Sequence, residues 1–160
     1  METNQVIPKR KLALLFRRIA AGSIALLAAS ASFYASAEAG LHSTFDSLLS
    51  KYVTPISNGA STQVNYDGFK KERNTLNEYL ARLSKVEQST FDSWDKDKQL
   101  AFLINAYNAY TIELILTEYP DIESIRDLGS FFSSPWKKEI APLLGETRTL
   151  DEIEHELIRG

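Results

Sequence analysis

The sequence predicts a predominantly helical α+β domain: a central buried helix, other helices packed around it, and a small β element. Three observations carry this. Between Leu100 and Leu116, thirteen of seventeen positions are apolar, counting Ala and Tyr, and a helix apolar nearly all round is covered on most sides. The flanking stretches repeat apolar residues at helical spacing, while only Thr62–Tyr66 and residues 137–148 have strand character. With 44% hydrophobic and 24% charged residues among 160, the composition is ordinary for a globular chain, which excludes wholesale disorder and collagen-like repeats.

The N-terminal 37 residues stand apart. Lys9, Arg10, Lys11, Arg17 and Arg18 oppose Glu2, a balance of +4, which leaves −7 for residues 38–160 of a chain whose net charge is −3. No residue from Ile19 to Ala37 is charged, and Ala35-Ser36-Ala37 fits the small-x-small pattern before a cleavage point. Residues 1–37 therefore read as a signal peptide cleaved after Ala37, with 38–160 as a single globular domain. The rival reading is an uncleaved anchor, with membrane contact only through residues 19–37. Eight of these nineteen residues are Ala and four are Ser, which makes a weakly apolar span. Under either reading the basic flank stays inside and the body is periplasmic or secreted.

In the body, Leu41, Phe45, Leu48, Leu49 and Tyr52 predict a helix over 41–53, ended by Pro55. Ser57–Ser61 is turn chemistry, Thr62–Tyr66 suits a strand, and Asp67-Gly68 reads as a second turn. Phe69, Leu76, Leu80 and Leu83 form one helical stripe. Asp92 and Asp95 are candidates for the cap and first-turn acid of the central helix, which runs to about Glu118 because Pro120 blocks continuation. Asp121 is expected to cap a short helix stopped by Gly129, followed by a loop over Phe131–Pro135. A hairpin around Leu144-Gly145-Glu146 comes next. Thr149-Leu150-Asp151-Glu152 spells a capping box, opening a helix to the chain end.

Three segments in order carry a family resemblance: Val64-Asn65-Tyr66, the Ala101–Tyr110 stretch with its I-N-x-Y-N core, and Trp136 followed by Leu150-Asp151-Glu152-Ile153-Glu154-His155. Together they resemble the family catalogued as domain of unknown function 547, over about residues 60–160. The resemblance implies a fold more than a function. It also implies that this chain covers the N-terminal portion of the domain, because relatives continue into strand-like segments bearing His and Cys. Should the family chemistry rest on such a cysteine, this chain lacks the nucleophile. Asn65 stands where relatives carry Asp, which puts an acid role there in doubt.

Candidate binding residues are Asn105, Asn108, Tyr107, Trp136, Glu154 and His155. Asn105 and Asn108 lie three apart and share one side of the central helix. Either they orient a substrate or they tie neighbouring loops through backbone bonds; the second reading is preferred, because buried carboxamides must be paired. Asn108 and His155 are weak catalytic candidates. Adjacent residues of one helix point about 100° apart, so Glu154 does not orient His155. His155-Glu156-Leu157-Ile158-Arg159 fails the two-histidine zinc pattern at Arg159, and no metal site or cofactor is expected. His42 is expected to be exposed. Tyr107, Trp136 and their aromatic neighbours line either a core or a groove.

The chain contains no cysteine, which excludes disulfides and thiolate chemistry within it. A pI near 5.5 speaks against nucleic-acid partners. No nucleophile elbow, phosphate loop or dinucleotide fingerprint is present. The expected function is a non-catalytic or incomplete binding or structural domain outside the cytoplasm. The alternative is a hydrolase of peptides or cell-envelope material whose nucleophile lies in sequence beyond this chain. A third possibility is an unstable truncated product.

Overall fold

A computed structural model describes residues 35–56, 61–122, 124–129 and 134–160. The predicted signal peptide up to residue 34, predicted turn residues 57–60 and Phe131–Ser133 of the predicted loop lie outside the described residues. Helix α1, Ala35–Tyr52, begins before the predicted start and buries Phe45 and Leu48. It runs directly into β1, Val53–Ile56, which pairs antiparallel with β2, Ser61–Val64.

The predicted strand to Tyr66 ends two residues early. Asn65 instead caps α2, Tyr66–Lys71, with its side-chain oxygen accepting from Gly68 N at 3.0 Å. The Asp67-Gly68 pair is therefore helical and makes no turn. The stripe from Phe69 to Leu83 also spans two helices, not one. Glu72, at φ −107° and ψ 26°, separates α2 from α3, Arg73–Leu83.

A short α4, Gln88–Asp92, ends on Asp92, which accepts from Gln88 instead of capping the central helix. Asp95 is the cap of that central helix, α5, Lys96–Leu116, accepting from Lys98 N at 2.9 Å. Its first-turn acid is Asp97, and Asp95, expected in that place, is the cap instead. The helix closes at Leu116, slightly before the predicted Glu118. Beyond it, Ser124 caps the 3-10 turn Ile125–Leu128 and Asp127 reciprocates, displacing the predicted Asp121 cap. A second 3-10 turn covers Pro135–Lys137.

The predicted hairpin is present as β3, Glu139–Leu143, and β4, Glu146–Thr149, in antiparallel register. Leu144 at φ 56° and Gly145 at φ 85° make its two-residue connection, the positive-φ pair that matches strand twist. The capping box is formed: Thr149 N–H donates to Glu152 Oε2 at 2.7 Å, and Glu152 N–H to Thr149 Oγ1 at 3.1 Å. The segment it opens departs from a plain helix. α6 covers only Leu150–Glu152 and widens into a π turn over Ile153–Ile158.

α5 lies at the centre, as predicted. It contacts α2, α3, α6, β3 and the π turn. Phe102, Ala106, Ala109 and Ile115 are fully buried, and Ile112 and Leu116 nearly so. The mostly helical α+β architecture with a central buried helix is therefore what this sequence forms. Among the described residues, no helix is long and apolar enough to cross a membrane.

Candidate functional site

Three of the six predicted residues meet at one end of the fold. Tyr107 projects from α5 and is 6% exposed. Its hydroxyl donates to Glu154 Oε2 on the π turn at 3.2 Å. The half-buried Trp136, on the turn before β3, lies near the same hydroxyl and eases its ionisation. Arg159 donates to the other oxygen of Glu154 at 2.6 Å. The result is a chain of hydrogen bonds from Tyr107 through Glu154 to Arg159, which ties α5 to the π turn, with Trp136 beside the Tyr107 hydroxyl. Burial, and then the neighbouring Glu154 carboxylate, push ionisation of Tyr107 far above the ordinary phenol range. Tyr107 is thus a neutral donor at any physiological pH, unsuited to act as a base.

His155 is the next residue, yet it faces elsewhere. Its side chain is 56% exposed and its Nδ1 sits 3.2 Å from Asp151 O within its own turn. Adjacent residues of the π turn also point in different directions, so Glu154 and His155 diverge. Nothing hydrogen-bonds His155 to Asn108, so the two weak catalytic candidates are not assembled into a pair.

The two carboxamides differ. Asn105 is half-buried. Asn108 is only 4% exposed, and its Nδ2 is buried with no partner. The expectation that backbone bonds hold both carboxamides therefore fails at Asn108. Its helical neighbour Thr111 shows the contrast, since its hydroxyl donates to Tyr107 O at 2.6 Å.

Sequence reasoning missed two participants. Arg159 entered only as the residue that breaks a zinc pattern, whereas it anchors Glu154 from five positions on. Five positions apart, the pair falls outside the i,i+3 and i,i+4 spacings that a regular helix would bring together, so no local pattern pointed to it. His42, expected to be exposed, is half-buried instead, with Nδ1 2.7 Å from the Tyr79 hydroxyl. Its partner lies 37 positions away, beyond any local pattern. Among the described residues, no group of three or more His, Asp or Glu side chains is placed to hold a metal ion.

Residues 91–160 match the family model for proteins of unknown function DUF547. The resemblance read from the sequence holds over this segment, which starts later than the residue 60 inferred from motifs. The matched segment begins in α4 and contains α5, the β3–β4 hairpin and the π turn. All six candidate residues fall inside the matched segment. No curated protein and no solved structure matches the chain.

Proposed function

We propose that the chain is an exported, non-catalytic binding domain whose recognition group is Asn108 on the central helix. The observation that carries this is the buried Asn108 amide nitrogen without an acceptor. Burying an unpaired amide donor costs about 1–3 kcal/mol, and an apolar residue of similar shape would remove that cost. Asn108 therefore adds nothing to the fold that leucine would not. A bound carbonyl or carboxylate oxygen would satisfy it. The half-buried Asn105, on the same side of α5, supplies a second carboxamide within reach of an extended ligand. Tyr107 and Glu154 are occupied with each other, which holds the π turn against α5, and Trp136 packs against the core beside them.

Export rests on the basic flank, the uncharged run to Ala37 and the Ala-x-Ala pattern. Intact-mass measurement of the full chain produced in a bacterial host should give a product beginning at Glu38, recovered outside the cytoplasm. A full-length product in the cytosol refutes the export reading.

Binding is tested with Asn108→Leu. The variant should melt at or above the temperature of the parent. It should also lose the tryptophan fluorescence change that the parent shows on titration with short peptides and purified peptidoglycan fragments. Destabilisation by more than about 1 kcal/mol would mean that the carboxamide is structural after all. Accumulation of cleaved peptide or glycan, abolished by His155→Ala, would establish the hydrolase reading instead.

A further inference from the structure

Most of α5 is covered, but one stripe on its N-terminal half stays open. Asp97, Leu100, Ala101, Ile104, Asn105 and Asn108 recur at i, i+3, i+4, i+7, i+8 and i+11, so they share one side of the helix. Asp97 and Ala101 are exposed, and Ile104 and Asn105 are half-buried. Leu100, at 41%, is the one large apolar side chain exposed among the described residues. Phe102, Leu103 and Ala106, between these positions in sequence, are buried. The stripe ends at Asn108, whose Nδ2 is buried without a partner. Side chains on a helix lean toward its N-terminus, so this carboxamide leans over the turn of Ile104 and Asn105, at the closed end of the open stripe.

We propose that the stripe is a subsite for an extended peptide with aliphatic side chains and a basic residue at the Asp97 end. This rests on the assignment of Asn108 to a ligand and names the class of that ligand. A carboxamide carries both donor and acceptor, as does each peptide unit of a chain. Asn105 takes the N–H and C=O of one residue, and Asn108 Nδ2 donates to the carbonyl beyond it. Asn108 is 4% exposed, and rotation of the half-buried Asn105 side chain, a kind of adjustment common on binding, uncovers it. At 1.5 Å per residue, Asp97 to Asn108 spans about 16 Å, which an extended chain covers in about five residues.

The rest of the stripe sets the chemistry of the occupant. Leu100 and Ile104 offer aliphatic surface that a leucine-like side chain would remove from water. None of the six residues is aromatic, so a sugar ring finds no face on which to stack. Asp97 stands at the open end. Lys96 and Lys98 flank it in sequence but turn about 100° to either side, and the Lys98 ammonium lies over the Trp94 ring, 4.1 Å from its centroid. Residues 38–160 carry a net charge of −7, a field that draws a cationic peptide and repels an acidic one.

Fluorescence anisotropy with the full chain tests this, using three labelled probes. They are a five-residue peptide with two leucines and a terminal lysine, the same peptide with glutamate for lysine, and an N-acetylglucosamine oligomer. The lysine peptide should bind saturably, and the other two at least tenfold more weakly. Leu100→Ser, on the exposed part of the stripe, should melt with the parent and weaken the lysine peptide about tenfold. Asp97→Asn should shrink the preference for lysine over glutamate several-fold. Binding lost in Asn108→Leu but unchanged in Leu100→Ser would overturn the stripe and leave Asn108 as a ligand group. Binding retained in Asn108→Leu would overturn both. No binding of the lysine peptide, equal affinity for the glutamate peptide, or tighter binding of the glycan would overturn the peptide assignment. So would a sedimenting dimer that Leu100→Ser dissociates, which would make the stripe a contact between copies of this chain.

Discussion

Gly68→Ala isolates a tertiary contact that overrides local propensity. In an ordinary helix the exchange stabilises by about 0.5–1 kcal/mol, because Gly loses more backbone freedom on folding. Here a methyl at position 68 would lie 2.9 Å from Tyr52 Cγ and closer still to Cδ1 and Cε1. The ring of Tyr52 lies directly on the glycine, held by Phe69 at 5.4 Å between centroids and by its hydroxyl bond to Glu72. Making room means swinging the ring off both. Overpacking of this kind costs about 1–3 kcal/mol, so the net change is destabilisation by about 1–2 kcal/mol and a melting point lower by roughly 4–8 °C. The decisive measurement is a double-mutant cycle by denaturant unfolding. In a Tyr52→Ala background the obstacle is gone, and Gly68→Ala should become stabilising by about 0.5–1 kcal/mol. A variant that stabilises the parent chain, or the same sign in both backgrounds, refutes the reasoning.

Two further outcomes concern the capping box and the buried phenols. Thr149→Ala removes the side-chain half of the capping box and should cost about 1 kcal/mol in thermal or urea unfolding. The bond from Thr149 N–H holds the Glu152 carboxyl below its ordinary range. That contribution is present above pH 4.5 and lost as pH falls through the folded value, so Glu152→Gln should flatten the acid limb of the stability curve. At the alkaline end, burial raises Tyr66, Tyr79, Tyr107 and Tyr110, the last up to about 12. Raised phenols stabilise the fold fully below pH 10 and lose that contribution as pH climbs toward their folded values. Phenolate absorbance of these four should therefore appear together with unfolding and not before it.

Features that depend on neighbours in the chain were legible in the sequence. The Thr149–Glu152 box needs residues three apart, and it forms as spelled. The Leu144-Gly145 connection and the apolar stretch of α5 are likewise local patterns. The errors occurred where a distant residue decides or where two local signals compete. Asp67-Gly68 has the composition of a turn, yet the Asn65 cap and the Tyr52 ring sixteen positions upstream make helix the better use of that glycine. Asp92 and Asp95 compete for one cap, and the residue nearer the helix wins while Gln88 takes the other. Of the site, the sequence singled out Tyr107, Trp136 and Glu154 as candidates, but not that Tyr107 bonds to Glu154 with Trp136 beside it. That depends on how the π turn returns to α5.

The polar residues of α5 explain how a helix apolar on nearly every side keeps a fixed orientation. Successive residues turn by about 100°, so Tyr107, Tyr110 and Glu113 point in three directions, and each finds a partner on a different element. Tyr107 bonds to Glu154 on the π turn, and Tyr110 donates to Pro142 O of β3 at 2.8 Å. Glu113 receives both Nε and an amino nitrogen of Arg73 at the start of α3, the shorter contact being 2.6 Å. Hydrophobic contact alone is non-directional and would leave the rotation of such a helix loosely defined. Three directional bonds at different angles fix it, whether or not each adds much net stability. Asn108 belongs to the same helix and is as deeply buried, but its amide nitrogen bonds to nothing. The rotation is already set without it, and that is why this carboxamide, among the polar groups of α5, is the one we propose for a ligand.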